Sequence, residues 1–342
     1  MALFSRRPKD SSDSQRSDVT PDDAPSPAGE RASEEPTEVS TPTEAAASVP
    51  ISVSSYGGLG SPAPRVEPRR TARAATKVAP VATETVPGLR DNVLVREALA
   101  RVADGIASQA LLDVARQMLQ GHLFLRVKGD ARTLLAEGKE LPLAMINVGE
   151  RRFALAYSSG ASLQASVRAD GDVDTSAMGQ PVLAVLRHVL DGPYDGLVID
   201  QSSAPARAVL PKELLKKVME KVDDSLTVKT LLAGERTPGT ASAVAEALTR
   251  VPLWVAVGKV ADGRPGIAEG RSEDGARYLE VYSHPLEVAV MGRGDQAAPL
   301  TAAQLAGALN GDTGLSGVIV DPAGPWIRLS RIDLAPVFAR AV

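Results

Sequence analysis

Asp170, Asp172 and Asp174 alternate like the first, third and fifth ligands of a calcium loop, a spacing that lets three carboxylates surround one hard cation. Thr175 stands where such a loop needs its sharp-turn glycine and Pro181 where it needs a bidentate Glu, so the triplet is expected to be an acidic turn feeding a helix N-terminus. Ser158, His188 and Asp200 supply the residue types of a nucleophilic triad, but no G-x-S-x-G elbow presents the serine. His122, His188 and His284 have no i, i+4 partner, and the 342-residue chain has 0 cysteines, which removes thiolate nucleophiles, disulfides and cysteine metal sites. Gly57-Gly58-Leu59-Gly60 lacks the preceding strand of a phosphate loop, and Arg293-Gly294-Asp295 reads as a turn. No catalytic residue, metal or cofactor is expected.

Binding chemistry has better candidates. Asp200 and Asp321 end two matching apolar stretches, GLVID and GVIVD, where an Asp ordinarily makes an Asx-type turn with its own backbone or offers a polar contact at the rim of a groove. Tyr278, Glu280 and Tyr282 alternate along RYLEVYS and so share one face of a strand. The equivalent stretch RFALAYS has Leu155 where this one has Glu280. An ionised carboxylate is costly to bury unpaired, so this face is expected to be at least partly exposed as a contact surface for the sister copy or a partner.

The elements that carry these residues occur twice. Helical spacing runs through VLVREALARVADG and SQALLDVARQMLQ, followed by the strand HLFLRV, then LPLAMINV and RFALAYS joined by a hairpin at Gly149 to Arg151, which predicts a three-strand meander. A helix opened by Pro181, the strands GLVID and ARAVL, and a helix opened by Pro211 complete the unit. VKTLLA, LWVAV, RYLEVYS, a helix from Thr301, GVIVD and IRLSRIDL retrace that order, and Thr301 with Gln304 forms a capping box stapled by Leu300 and Leu305. A repeat this long is a duplicated domain. The expected fold is α+β: two tandem copies, 90–223 and 224–342, each a mostly antiparallel sheet with helices on one face, behind a disordered Ser/Pro/Glu-rich tail over 1–89.

A helix, an apolar strand, an (F/Y)xxxY-S strand, a helix, G-aliphatic-aliphatic-aliphatic-Asp and a closing helix together resemble the SseB N-terminal domain family in tandem, from about Asn92 to Val342. Asp200 and Asp321 replace that family's Asn, and only the second copy keeps the following proline, Pro322. The tail and the Ala- and Arg-rich usage look like actinobacterial members. The resemblance implies a cytoplasmic accessory protein without an assigned reaction.

Composition agrees with a non-catalytic protein that acts through protein contacts. A net charge of -4 argues against a nucleic-acid binder, and no apolar run suggests a signal peptide or a membrane span. The expected partner is another protein; the alternative is a small amino-acid-related ligand held in a cleft between the copies.

Overall fold

The structure, a computed structural model, describes residues 76–102, 107–259 and 263–340, all within one compact unit spanning Ser40–Val342. The tail expected over 1–89 lies outside the described residues up to position 75. Residues 76–89 do not behave as a tail: they form a strap that hydrogen-bonds to both copies. Near its end the Thr83 and Thr85 hydroxyls bond the Asp91 carboxylate at 2.7 and 2.8 Å. Near its start the Lys77 carbonyl accepts from Arg236.

The first copy runs α1 (Val93–Val102), α2 (Ala107–Met118), β1 (His122–Lys128), α3 (Ala131–Ala136), β2 (Met145–Val148), β3 (Arg151–Ala156), α4 (Gly160–Asp170), β4 (Thr175–Pro181), α5 (Val182–Asp191), β5 (Gly196–Ile199), β6 (Ala208–Pro211) and α6 (Lys212–Met219). The second runs α7 (Thr227–Ala233), α8 (Thr240–Ala247), β7 (Leu253–Lys259), β8 (Pro265–Ile267), β9 (Glu269–Arg271), β10 (Arg277–Val281), α9 (Pro285–Val290), β11 (Gln296–Leu300), α10 (Ala302–Gly311), β12 (Leu315–Val320), β13 (Ile327–Ser330) and α11 (Ala335–Phe338). The fold is α+β. The central sheets have the strand orders β2-β3-β5-β6 and β13-β12-β10-β9, in which β3/β5 and β10/β12 are parallel and the other neighbours antiparallel.

The expected meander is not formed. β1 pairs along its length with β4 and meets the central strands only through bridges from Phe124 to Tyr157 and from Val127 to Leu143. In the second copy Trp254 bridges Tyr282 in the same way, and β7 pairs with β11 and β8. The run TSAMGQP has weak strand propensity, yet pairing with an apolar partner decides such cases, and Pro181 sits at its terminus where a missing N–H is tolerated.

Helices cover both faces of each central sheet rather than one. Ala154 and Ala156 of β3 face the core built with α1, α2, α5 and α6, whereas Phe153, Leu155 and Tyr157 face a second cluster under α4 with Leu163. The pleat makes such two-sided burial visible as an unbroken apolar run. Gly196 and Gly317 permit close strand pairing, since a Cβ at either would strike the backbone carbonyl of Leu210 or Leu329. Between the copies, α2 packs on α9: Leu286 joins the first copy's core and the Gln109 amide donates to the Val290 carbonyl at 2.6 Å.

Candidate functional site

Asp200 and Asp321 occupy matching places and do matching work. Each has left-handed backbone, with φ 55° and 50°, which an Asp tolerates better than most side chains do. Neither carboxylate makes the expected turn with its own backbone. Asp321 instead accepts from the Ser283 N–H at 2.8 Å and the Ser283 hydroxyl at 2.6 Å. Asp200 accepts from the Ser158 N–H at 2.8 Å and from the Ser158 hydroxyl. The carboxylates thus tie the ends of the parallel strands together. Burial pushes the Asp200 carboxyl up, against the lowering bonds from Ser158. Burial, followed by the charge of Glu287, pushes Asp321 up to about 6. His188 lies with Tyr194, 3.3 Å from its hydroxyl, so the sequence's trio of Ser158, His188 and Asp200 is not assembled.

Around Asp321 the site is filled from the other copy. Arg116, with a side chain 1% exposed, donates to the Gly324 carbonyl at 2.6 Å, the Ala323 carbonyl at 3.2 Å and Glu287 at 3.2 Å. Gln117 donates to the same Gly324 carbonyl at 3.0 Å, and Asp113 holds the Arg116 Nε at 2.8 Å. Lys229 pairs with Glu287 and lies 3.8 Å from Asp321. Burial alone would raise the Glu287 carboxyl, but Lys229 and Arg116 outweigh it and hold it below its ordinary value. His284 caps α9: its Nδ1 accepts from the Leu286 N–H at 3.0 Å and its Nε2 lies 3.0 Å from the Val218 carbonyl, which fits the neutral ring with the proton on Nε2. Burial lowers it to about 4. The cavity left at this junction is only about 10 Å³, enough for one water and far too small for an amino acid.

Around Asp200 the same frame is open. Arg96 corresponds to Lys229, Ser162 to Glu287 and the cis Ala204–Pro205 loop to the cis Gly324–Pro325 loop, but Ala204 and Pro205 are exposed whereas Gly324 and Pro325 are buried. A groove of about 550 Å³ fronts this loop, lined among others by Pro80 of the strap, Arg96 and Leu99 of α1, Ser162 of α4, Asp200 and Ser203. Position 116 has its counterpart at Glu246 of α8, which pairs with Arg250 just beyond that helix, so the second copy does not return the plug.

The expected exposed face on β10 is corrected. Glu280 is 5% and Tyr282 0% exposed, and only Tyr278 is partly accessible, its ring under the Arg328 guanidinium at 4.8 Å. Glu280 is buried because it is paired: Arg293 reaches it at 2.5 Å and the Tyr282 hydroxyl at 2.6 Å. Burial and then the Glu280 charge raise the Tyr282 phenol well above its ordinary value. The Arg293–Glu280 pair takes the place of the Leu155 packing. Asp170 and Asp172 serve Arg126 as ion-pair partners at 2.5 and 3.7 Å, and Asp170 ends α4 instead of starting a helix. Among the described residues no group of acids and histidines is placed to hold a metal.

Sequence reasoning found the two aspartates but missed Arg96, Arg116, Ser162, Lys229 and Glu287. VREALA against VKTLLA aligns Arg96 with Lys229, a signal that was present. No family model matches the chain, and it has no match among curated proteins or solved structures.

Proposed function

We propose that the chain is a non-catalytic accessory protein of the cytoplasm that acts by contact, and that the Asp200 groove of the first copy is its binding surface. One observation carries this: the Gly324–Pro325 loop is buried beneath Arg116 and Gln117, while the corresponding Ala204–Pro205 loop is exposed beside a groove. A frame that accepts a polypeptide in one copy and stands open in the other is suited to accept one from outside. The twofold order of strands and helices supports the resemblance to the SseB N-terminal domain family, and we propose membership on that basis.

Affinity capture with the full chain and its Ala204→Trp variant tests the proposal. The expected result is a protein retained by the parent and lost with the variant at an unchanged melting temperature; equal retention overturns it. The small-molecule alternative moves from the inter-copy junction, where the cavity beside His284 is about 10 Å³, to this groove, whose volume of about 550 Å³ falls in the ordinary range of ligand sites. A ligand bound there stabilises the parent in a thermal-shift assay and leaves Ala204→Trp unmoved.

A further inference from the structure

The duplicated frame also indicates what the groove accepts. In the second copy the cation contributed by the first helix, Lys229, has a carboxylate beside it, Glu287, supplied by the helix that follows the Tyr-Ser strand end. In the first copy the cation is Arg96 and the corresponding helix position is Ser162, whose short side chain bonds Ser159 within the α4 cap and also acts on the Asp200 carboxyl, but carries no charge. Space stands where the carboxylate would be.

Arg96 is not spent. Its Nη1 donates to Thr83 at 3.1 Å and Asp91 at 3.0 Å, and among the described residues its side chain has no other hydrogen-bond acceptor. Asp91 is shared with four further donors, from Thr83, Thr85, Thr85 N–H and Gly160 N–H. The Arg96 side chain is 40% exposed and lines the groove. A guanidinium with free N–H groups at the wall of a half-apolar pocket suits a carboxylate, which its planar fork can bind through two parallel bonds. Of the acids nearby, Asp91 takes a single bond from Nη1 at 3.0 Å and Glu97 leans toward Arg101 at 3.9 Å, which leaves Nε and Nη2 of Arg96 without an acceptor among the described residues.

We propose that the groove of the first copy binds a carboxylate, which takes beside Arg96 the place that Glu287 takes beside Lys229. The inference rests on the groove being the binding surface. The carboxylate comes either from a small free acid or from an acidic side chain of a partner polypeptide.

Amide NMR titration of the full chain tests it with matched probes: valerate against valeramide, and the acetylated, amidated peptide Ala-Leu-Glu-Leu-Ala against its Gln counterpart. The expected result is that at least one acid shifts the Ser159, Ser162 and Ser203 amides and binds at least tenfold more tightly than its neutral match. Arg96→Gln weakens that binding at least tenfold, and Ser162→Glu, which installs the second copy's carboxylate, closes the site with no loss of melting temperature. Response to valerate assigns the free acid; response to the peptide alone assigns a partner's side chain. Acid and neutral probes acting alike, or no acid shifting these amides, overturns the proposal. The groove itself survives that failure if Ala204→Trp still abolishes capture while Ser162→Glu does not.

Discussion

Glu287→Gln is the perturbation that bears hardest on the junction between the copies. Glu287 is 0% exposed and neutralises two cations at once, Lys229 and Arg116, the latter 1% exposed. Glutamine keeps the shape and one acceptor but leaves both cations without their shared counter-ion. Breaking one partner out of a buried ion pair costs about 3–5 kcal/mol. Part of that is recovered, because Glu287 is the second cause holding Asp321 up at about 6: without it the Asp321 carboxylate, 3.8 Å from Lys229, loses a like-charged neighbour and becomes a substitute partner. The expected loss is therefore near the lower limit, about 3 kcal/mol at pH 7, read from urea unfolding of the full chain. Arg116→Met added to Glu287→Gln should cost less than the two single changes together, with a coupling of about 1 kcal/mol or more. A loss below about 1 kcal/mol, the level of an exposed pair, refutes the electrostatic account of the junction.

Acidification separates two other groups there. His284, lowered from 6.5 to about 4, contributes stability that is present above pH 6.5 and lost as pH falls toward 4, about 3 kcal/mol in all. Asp321, raised from 3.8 to about 6, contributes in the opposite sense: its share is present below 3.8 and lost as pH rises to 6. The two shares oppose each other between pH 4 and 6 in the parent, so relative to it His284→Asn gains stability on acidification and Asp321→Asn loses it. Unfolding curves at pH 4, 5 and 6 check both slopes. Thr301→Ala removes the α10 capping box with Gln304 and should cost about 1 kcal/mol in the same assay. Glu280→Leu restores the first copy's residue but leaves Arg293 without its nearest acid, so it should destabilise by about 3 kcal/mol, and adding Arg293→Leu should return part of the loss.

The strands that carry RFALAYS and RYLEVYS, the Thr301 capping box and the hairpin at Gly149 were legible in the sequence because each is written in local chemistry. α4 was not: Gly-Ala-Ser-Leu-Gln-Ala-Ser has little apolar stripe, and the helix is started by the reciprocal Ser159–Ser162 cap. α9 is likewise started by the His284 cap and Pro285. β4 owes its form to β1. The exposure expected for Glu280 failed because its partner, Arg293, lies 13 positions away beyond a helix, so periodicity within the strand could not reveal the pairing. The asymmetry between the Asp200 and Asp321 sites depends on Arg116 meeting Gly324 across 208 positions, and only the assembled structure discloses it.

One filled site and one open site make the central claim, and paired amide exchange tests it on the unmodified chain. The Gly324 N–H donates to Asp321 at 2.8 Å and the Ser203 N–H to Asp200 at 2.9 Å, so the two bonds are alike and differ in their cover. Hydrogen exchange should be at least tenfold slower at Gly324 than at Ser203, and Arg116→Ala should erase the difference. Equal rates in the parent protein contradict the account.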